Sequence, residues 1–481
     1  MMSKKRINTF YLILLGITLT ACNNGGGSNN SSPTPAPTPT PAPTPTPVPS
    51  PVPSPTPVPT PTPTPSQIFH WTKISGLGSG PTMPYLYGSY TPSAMLVQDN
   101  NTDGQFWVYM NDTWTRVTGG ASQPDCDWNS NNCSVYGTDL SATRIILLNS
   151  SSGVYTLWKY VNGVWFQITD GTGAGGTEPV QITSVAANAT VNSMFVAGDS
   201  YLWKYTTTNG WQKLTDGTGI NGQPTLVMYL SGNPTDTSIV VAGTDGYTFT
   251  YTTVNGWQQL NNGSGGTPPA PNWNTSYYGG TTPDSIVLTE GTNSNNLWTY
   301  NGSWINQQKV SRFIYGSPTP TAMVISMGLA PLPGGSDIWT LIGTTWTQLT
   351  DGTTHGGTQP AYVEGNSYTS VASNATPNLF YMIDSLNILW NYNNGIWTNI
   401  NAMADAPSST ASIFGEPTAS SILLGDNQTS SQLWTYNGTV WTQITGGTDE
   451  PPSVAIEYGN STNKRSMIVA EAGTYDLWVY K

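Results

Sequence analysis

The sequence predicts an all-β protein whose short four-stranded blades close into a β-propeller, and three observations carry that prediction. An apolar-Trp-x-Tyr run followed by a Trp-x-x-apolar run recurs at spacings of 41 to 51 residues. Asn-Gly, a strong β-hairpin signal, separates the two runs in six copies, as at Asn162-Gly163. Finally, the last residues of the sequence form an apolar-Trp-x-Tyr run that no Trp-x-x-apolar run follows. Residues 70–74 form a Trp-x-x-apolar run that no apolar-Trp-x-Tyr run precedes.

Composition excludes two other classes of protein. The 481 residues include 51 Gly and 38 Pro, which is incompatible with long helices throughout. The 19 Trp and 25 Tyr exclude disorder over the whole length, because these side chains bury large apolar surfaces. Only 8% of residues are charged, so the surface must consist mainly of neutral polar groups.

Each repeat has the length of one propeller blade. Two further strand-like runs precede each hairpin, as at residues 182–187 and 193–197, which gives four strands per period of about 46 residues. The first aromatic positions are Trp107, Trp158, Trp203, Phe249, Trp298, Trp339, Trp390, Trp434 and Trp478. The second positions are Trp114, Trp165, Trp211, Trp257, Trp304, Trp346, Trp397 and Trp441. Such periodic aromatic residues predict a core between blades.

The two incomplete runs predict how the ring closes. If the first and last strands of the repeat region pair, they form one composite blade and leave no exposed strand edge. Counting that blade, the sequence predicts nine blades, or eight if the unit around Trp304 is an insertion.

The N-terminus predicts export. Three basic residues at 4–6 precede an apolar run at 7–21, which is too short to span a bilayer and has the charge order of a secretory signal. Leu19-Thr20-Ala21-Cys22 resembles the lipobox of bacterial lipoproteins. That resemblance implies removal of residues 1–21, a diacylglycerol anchor on Cys22 and, because Asn23 follows, the outer membrane. The side of the membrane that the domain faces stays open.

Two segments separate this anchor from the repeats. Residues 22–32 form a tether rich in Gly, Asn and Ser. In residues 33–66 proline occupies every second position, which predicts a polyproline II spacer of up to about 100 Å before the propeller domain at 67–481. The mature chain would carry 11 basic against 26 acidic residues, a net charge of −15 that disfavours nucleic acid as a partner.

The repeat also resembles a known family. The order of segments in the repeat is similar to that of tectonin-type propellers, many of which are lectins. That order is a Trp-x-x-apolar run, Ser184-Val185-Ala186, a small-residue strand and Leu202-Trp203-Lys204-Tyr205. The resemblance extends over residues 67–481 and implies carbohydrate binding.

Candidate ligand residues lie in the connections between blades, which share one face of the predicted ring. Trp128 and Trp273 fall outside the repeat frames, so each either contacts a ligand or anchors its own loop. Asp170, Asp216 and Asp351 follow the fourth strand in Thr-Asp-Gly-Thr sequences and either bind a ligand or cap local N–H groups.

Two further features lie in loops of the first repeats. Cys126 and Cys133 predict a disulfide in an exported protein. A metal-binding pair is the weaker alternative, because two cysteines without a nearby His do not complete a zinc site. Asp99, Asn101 and Asp103 match the start of a calcium loop, although Met110 stands where such a loop has glutamate, so ordinary turn chemistry is the alternative. Calcium is the sole cofactor for which the sequence offers a motif.

Function is predicted to be binding rather than catalysis. The two histidines, His70 and His355, have no nucleophile motif beside them, and no pair of acids stands out as a glycosidase pair. Abundant Asn, Thr, Gly and Trp favour neutral carbohydrate as the ligand of a monomeric ring. The first alternative is a protein-interaction scaffold in the envelope or on the cell surface, with an envelope or host protein as partner. A glycoside-acting enzyme is the second, less favoured alternative.

Overall fold

The structure of the protein is a computed structural model, and all described residues belong to one unit, Phe69–Lys481. It describes residues 70–75, 80–99, 104–120, 122–126, 133–151, 153–172, 176–220, 222–235, 237–260, 269, 275–280, 285–290, 296–327, 337–350, 359–360, 370–372, 374–426, 432–458 and 467–481. Within these ranges the regular structure consists of β-strands, apart from Gly176, which lies in a 3-10 turn. They contain no helix long and apolar enough to cross a membrane.

Strand β1 (Trp71–Lys73) precedes four regular blades. Blade 1 contains β2 (Pro84–Thr91), β3 (Ala94–Asp99), β4 (Phe106–Met110) and β5 (Thr113–Arg116), and blade 2 contains β6 (Cys133–Ser141), β7 (Arg144–Ser151), β8 (Val154–Val161) and β9 (Val164–Thr169). Blade 3 contains β10 (Ile182–Val185), β11 (Ser193–Gly198), β12 (Tyr201–Thr206) and β13 (Gly210–Lys213), and blade 4 contains β14 (Val227–Thr235), β15 (Ser238–Gly243), β16 (Thr248–Thr252) and β17 (Gly256–Gln259).

Blades 5 and 6 share one strand. Blade 5 contains β18 (Ser276–Gly279), β19 (Ile286–Thr289), β20 (Asn296–Tyr300) and the start of β21 (Trp304–Thr319), whose remainder opens blade 6 with β22 (Ala322–Met327), β23 (Asp337–Ile342) and β24 (Thr345–Gln348). Blade 7 contains β25 (Ser370–Val371), β26 (Leu379–Ile383), β27 (Leu389–Asn393) and β28 (Ile396–Asn399), and blade 8 contains β29 (Thr410–Thr418), β30 (Ser421–Asp426), β31 (Leu433–Tyr436) and β32 (Trp441–Gln443). Blade 9 combines β33 (Val454–Tyr458), β34 (Ile468–Glu471) and β35 (Leu477–Tyr480) with β1.

The described residues form nine four-stranded antiparallel blades in a ring, which confirms the predicted architecture. The alternative of eight blades is wrong, because the unit around Trp304 supplies the complete blade 5. Strand β21 pairs with β20 through its first half and with β22 through its second half, so blades 5 and 6 appear as one seven-stranded sheet. The fourth strand of one blade therefore runs directly into the first strand of the next.

The ring closes as predicted, through strands from the two ends of the repeat region. Trp71, Thr72 and Lys73 of β1 pair with Tyr480, Val479 and Trp478 of β35. Backbone hydrogen bonds between His70 and Lys481 extend this ladder in both directions. The pairing supplies the outer strand of blade 9 and covers an edge that would otherwise be open.

Two faces of the ring follow from the strand order. First strands of neighbouring blades contact each other, as β2 and β6 do, and so lie nearest the axis. We call the side with the turns between strands 1 and 2 and between strands 3 and 4 the hairpin face. The opposite side, with the loops between strands 2 and 3 and between blades, is the connection face.

Nine buried apolar clusters hold neighbouring blades together, one at each junction. Tryptophans of the second repeat position add a recurring hydrogen bond between blades. The indole N–H donates to a backbone carbonyl of the preceding blade, and that carbonyl belongs to the residue three positions after the equivalent tryptophan. Trp114, for example, donates to Ile74 O, three residues after Trp71. Distances run from 2.5 to 3.3 Å at the junctions made by Trp71, Trp114, Trp165, Trp211, Trp257, Trp304 and Trp397. Trp346 donates instead to the side chain of Gln307, at 3.2 Å.

Close packing near the axis makes one glycine a sensitive position. Gly316 has a φ of +69°, and a Cβ added to it would overlap the carbonyl of Ala375 in blade 7. We expect Gly316→Ala to lower the free energy of unfolding by about 2 kcal/mol, from strain and overlap together. Gly343→Ala is the matched control, because Gly343 has a φ of +64° but open space around it. Denaturant unfolding measures both variants. If Gly316→Ala and Gly343→Ala lower the free energy of unfolding equally, the overlap with Ala375 contributes nothing and this account is contradicted.

Candidate functional site

A cleft of about 330 Å³ lies between blades 7 and 8. Its volume lies at the lower end of the range typical of small-molecule sites. Blade 7 and the connection after it contribute most of the lining, and blade 8 forms the opposite wall. The lining residues are Tyr381, Asn391, Asn393, Ile396, Thr398, Ile400, Met403, Ala419, Ile422 and Tyr436.

A polar row across three strands forms one wall of the cleft. Tyr381 pairs with Asn391, and Asn391 pairs with Thr398, so the three side chains lie side by side on the sheet. In the other eight blades the position of Tyr381 is apolar and carries no polar atom: Leu96, Ile146, Phe195, Val240, Val287, Val324, Leu423 and Ile468. Blade 7 is therefore the one blade of the nine that presents a hydroxyl to the next blade at this second-strand position.

The hydroxyl of Tyr381 is buried and makes no hydrogen bond of good geometry, although the side chain of Asn391 lies near enough to interact with it. The residue is 1% exposed, and burial raises the pKa of its hydroxyl, so the group is a neutral donor and acceptor at physiological pH. An unpaired buried polar group costs free energy, which a bound ligand that hydrogen-bonds to it would recover.

The same junction lacks the indole hydrogen bond found elsewhere in the ring. The indole N–H of Trp441 is buried without an acceptor, and the carbonyl of Ile400, which the repeat would offer it, accepts from the N–H of Met403. On the opposite wall, Tyr436 donates to Gly438 O at 2.7 Å and lies 3.0 Å from the sulfur of Met403. Blades 7 and 8 thus lack the indole bond, although Thr410 and Asn374 still donate hydrogen bonds across the junction, to Asn387 O and Pro417 O.

No lining residue of the cleft carries a formal charge. Hydroxyls of two tyrosines and a threonine, the amides of Asn391 and Asn393, and the apolar surface of Ile396, Ile400 and Ile422 surround the space. The arrangement can satisfy a ligand with many hydroxyl groups and hold its apolar faces. It provides no nucleophile with an adjacent base.

Asp170 and Asp216 occupy equivalent positions on the connection face. Asp170 accepts hydrogen bonds from Thr172 N and Oγ1, at 2.8 and 2.7 Å, and Asp216 does the same with Thr218. These bonds lower the pKa of both carboxyls. Each carboxylate therefore closes its own turn, and neither lies in the cleft.

A second carboxyl contacts Asp170. Glu178 Oε1 accepts from Asp170 N at 3.3 Å, and burial together with a hydrogen bond to Asp170 raises the pKa of Glu178. In the next blade Gln223 accepts from Asp216 N in the same way, at 3.1 Å. Since an amide performs the same task there, the contact braces the connection and does not require an acid.

Asp99 is buried at the end of β3, where it accepts from Thr82 N and Met83 N at 3.1 and 3.2 Å. It thereby fixes the segment that enters β2. Asn101 and Asp103, the other members of the calcium motif, lie outside the described residues, so calcium binding stays a prediction. Among the residues that are described, no group of three or more His, Cys, Asp or Glu is placed to hold a metal ion.

The predicted disulfide is present, and it joins Cys126 to Cys133 with their Cα atoms 5.5 Å apart. Cys126 is buried in the cluster between blades 1 and 2, so the bridge ties that connection to the start of β6. The remaining sequence candidates, Cys22, Trp128, Trp273 and Asp351, lie outside the described residues.

Sequence reasoning missed the cleft between blades 7 and 8. It directed attention to aromatic residues outside the repeat, whereas the cleft is built from residues inside it. The available signal was the comparison of repeats position by position, which singles out Tyr381 among nine equivalents.

No family model matches this chain, and no curated protein matches it. Among solved structures it is similar to the computationally designed Ika8 protein, at 12% identity over 85% of this chain and 99% of that one, with a TM-score of 0.39. It is also similar to the C-terminal WD40 domain of Sif2 (9% identity, 86% and 98% covered, TM-score 0.38) and to YCF48 from Cyanidioschyzon merolae (11%, 78% and 98%, 0.30). The assignment of the propeller therefore rests on strand pairing alone.

Proposed function

We propose that this protein binds carbohydrate, and that the cleft between blades 7 and 8 is its binding site. The observation that carries the proposal is the buried hydroxyl of Tyr381, which makes no hydrogen bond of good geometry, in an uncharged cleft of about 330 Å³. Asn391, Asn393 and Thr398 add donors and acceptors beside it, and sugars offer many hydroxyls at short spacing.

The lining also supports this ligand class through its apolar parts. The ring of Tyr436 and the side chain of Ile422 present flat, apolar surface opposite the polar row. Carbohydrates have apolar C–H faces as well as hydroxyl edges, so aromatic and polar side chains together hold them. The absence of a lysine or arginine from the lining disfavours acidic sugars.

The propeller would act at a membrane surface. A lipid anchor on Cys22 and the proline-rich spacer would hold the domain away from the outer membrane, as the sequence predicts. Labelling with a palmitate analogue, lost in a Cys22→Ser variant, tests this part of the proposal independently of the ligand.

The binding proposal predicts a specific effect for Tyr381→Phe. A glycan screen of the purified protein should identify oligosaccharides that bind, and Tyr381→Phe should weaken that binding about 2- to 10-fold through loss of one neutral hydrogen bond. The melting temperature should not fall, because the substitution removes a buried hydroxyl that makes no hydrogen bond of good geometry. Calorimetric titration measures the affinity.

Tyr458→Phe is the matched control. Tyr458 also has a buried hydroxyl that makes no hydrogen bond of good geometry, but it lies at the junction of blades 9 and 1, away from the cleft. Its variant should bind carbohydrate like the parent protein. If both variants bind as the parent does, or if no carbohydrate binds at all, the proposed site is wrong.

A further inference from the structure

The junction between blades 2 and 3 contains an occupied counterpart of the cleft. There Lys159 extends from β8, and its Nζ donates to Tyr205 Oη at 3.2 Å and to Val191 O at 3.4 Å. The ammonium lies 5.3 Å from the ring centroid of Tyr205, within the range of a cation–π interaction. At this junction the protein's own ammonium group thus contacts the third-strand tyrosine and a backbone carbonyl of the next blade.

Residue by residue, the two junctions correspond. Lys159 and Asn391 each follow the first repeat tryptophan of their strand, at Trp158 and Trp390. Tyr205 and Tyr436 occupy the same third-strand position in the following blades. Val191 and Ala419 each follow a threonine that pairs across a tight turn, Thr190 with Ser193 and Thr418 with Ser421.

Blade 7 therefore has the acceptors without the lysine. Tyr436 and Ala419 both line the cleft, and the shorter Asn391 stands where Lys159 would reach across. A ligand that offers an ammonium group to Tyr436 Oη, the Ala419 carbonyl and the Tyr436 ring would reproduce the contacts of Lys159. The net negative charge of the protein also favours a cation.

We infer that the carbohydrate bound between blades 7 and 8 carries a free primary amine, as an unacetylated amino sugar does. This inference rests on the proposed function and specifies its ligand. The amine takes the position that Nζ of Lys159 occupies between blades 2 and 3, while the sugar hydroxyls meet Tyr381, Asn391 and Thr398.

The test compares two trisaccharides that differ only in acetylation. Calorimetric titration of the full chain with glucosamine trimer and N-acetylglucosamine trimer should give at least about 10-fold tighter binding of the free amine, since acetylation removes the charge and blocks its contacts. Asn391→Lys should abolish the binding of both, because the new ammonium would occupy the subsite. Tyr458→Phe should leave both affinities unchanged, which separates the cleft from general effects on folding.

The outcomes separate the two proposals. Equal affinity for the two trimers, lost in Asn391→Lys, would overturn the amine inference and leave carbohydrate binding at the cleft intact. If neither trimer binds and no other glycan does, the proposed function and the inference both fail. Binding of n-butylamine in that case would assign the subsite to a lysine side chain of a protein partner.

Discussion

Removal of strand β1 is expected to unfold the whole ring, because this short strand contributes to two junctions. Trp71 is buried among the apolar residues between blades 8 and 9, and its indole donates to Ile444 O at 2.7 Å. Ile74, just after the strand, accepts from the indole of Trp114 in blade 1, also at 2.7 Å. Without β1, β35 would also present an unpaired edge.

A protein that begins at residue 77 should therefore aggregate or melt far below one that begins at residue 67. Circular dichroism and size-exclusion chromatography measure both effects. Trp71→Ala in the longer protein should cost about 3 to 5 kcal/mol, as buried aromatic truncations do. Trp71→Phe keeps most of the apolar contact and should cost about 1 kcal/mol, from the lost indole hydrogen bond. A folded, monomeric protein without β1 would contradict the closure.

The second large effect concerns Glu457, a buried carboxyl on the innermost strand of blade 9. Burial raises its pKa to about 8, and its Oε1 has no hydrogen-bond partner. The other eight blades have an apolar or aromatic residue at this position: Leu86, Val135, Val185, Leu230, Tyr277, Ile314, Val371 and Ile413. Protonation keeps the group neutral in the folded ring.

Because the folded-state pKa lies above the unfolded value of 4.5, the stability linked to this proton is fully present below pH 4.5. It is lost progressively as the pH rises from 4.5 to about 8. Glu457→Gln removes the titration, so the variant should equal the parent at pH 4. At pH 9 it should be more stable by up to about 4 to 5 kcal/mol, at about 1.4 kcal/mol per unit of pKa shift.

Denaturant unfolding of both proteins across this pH range measures the difference. Asp449→Asn, which removes an exposed acid from the connection face, controls for the loss of one negative charge. A stability difference for Glu457→Gln that does not change with pH would contradict the account of a buried, neutral carboxyl.

Much of the fold was predictable because its determinants are local and repeated. Asn-Gly turns define the outer hairpins, and the two tryptophan frames mark the third and fourth strands of each blade. Closure was predictable for a different reason, since only pairing between 70–74 and the last strand completes every repeat. Strand β21 was not predictable, because the irregular pairing of Asn296 and Trp298 with Val310 and Asn306 is a property of the folded sheet.

The candidate site was harder to predict because it arises from a contrast between equivalent positions. Tyr381 and Asn391 are unremarkable in a sequence rich in Tyr and Asn. Their significance appears only when the register aligns them with Ile146 and Lys159. The open volume depends further on how Met403 and Tyr436 pack across the junction, which no local pattern encodes.

Native mass spectrometry of the protein with glucosamine trimer tests the central claim most directly, because it counts ligands per ring. A single cleft with the chemistry described here predicts one bound trimer, and none in the Asn391→Lys variant. Several bound trimers, or one that persists in Asn391→Lys, would place the site elsewhere on the ring and contradict the account.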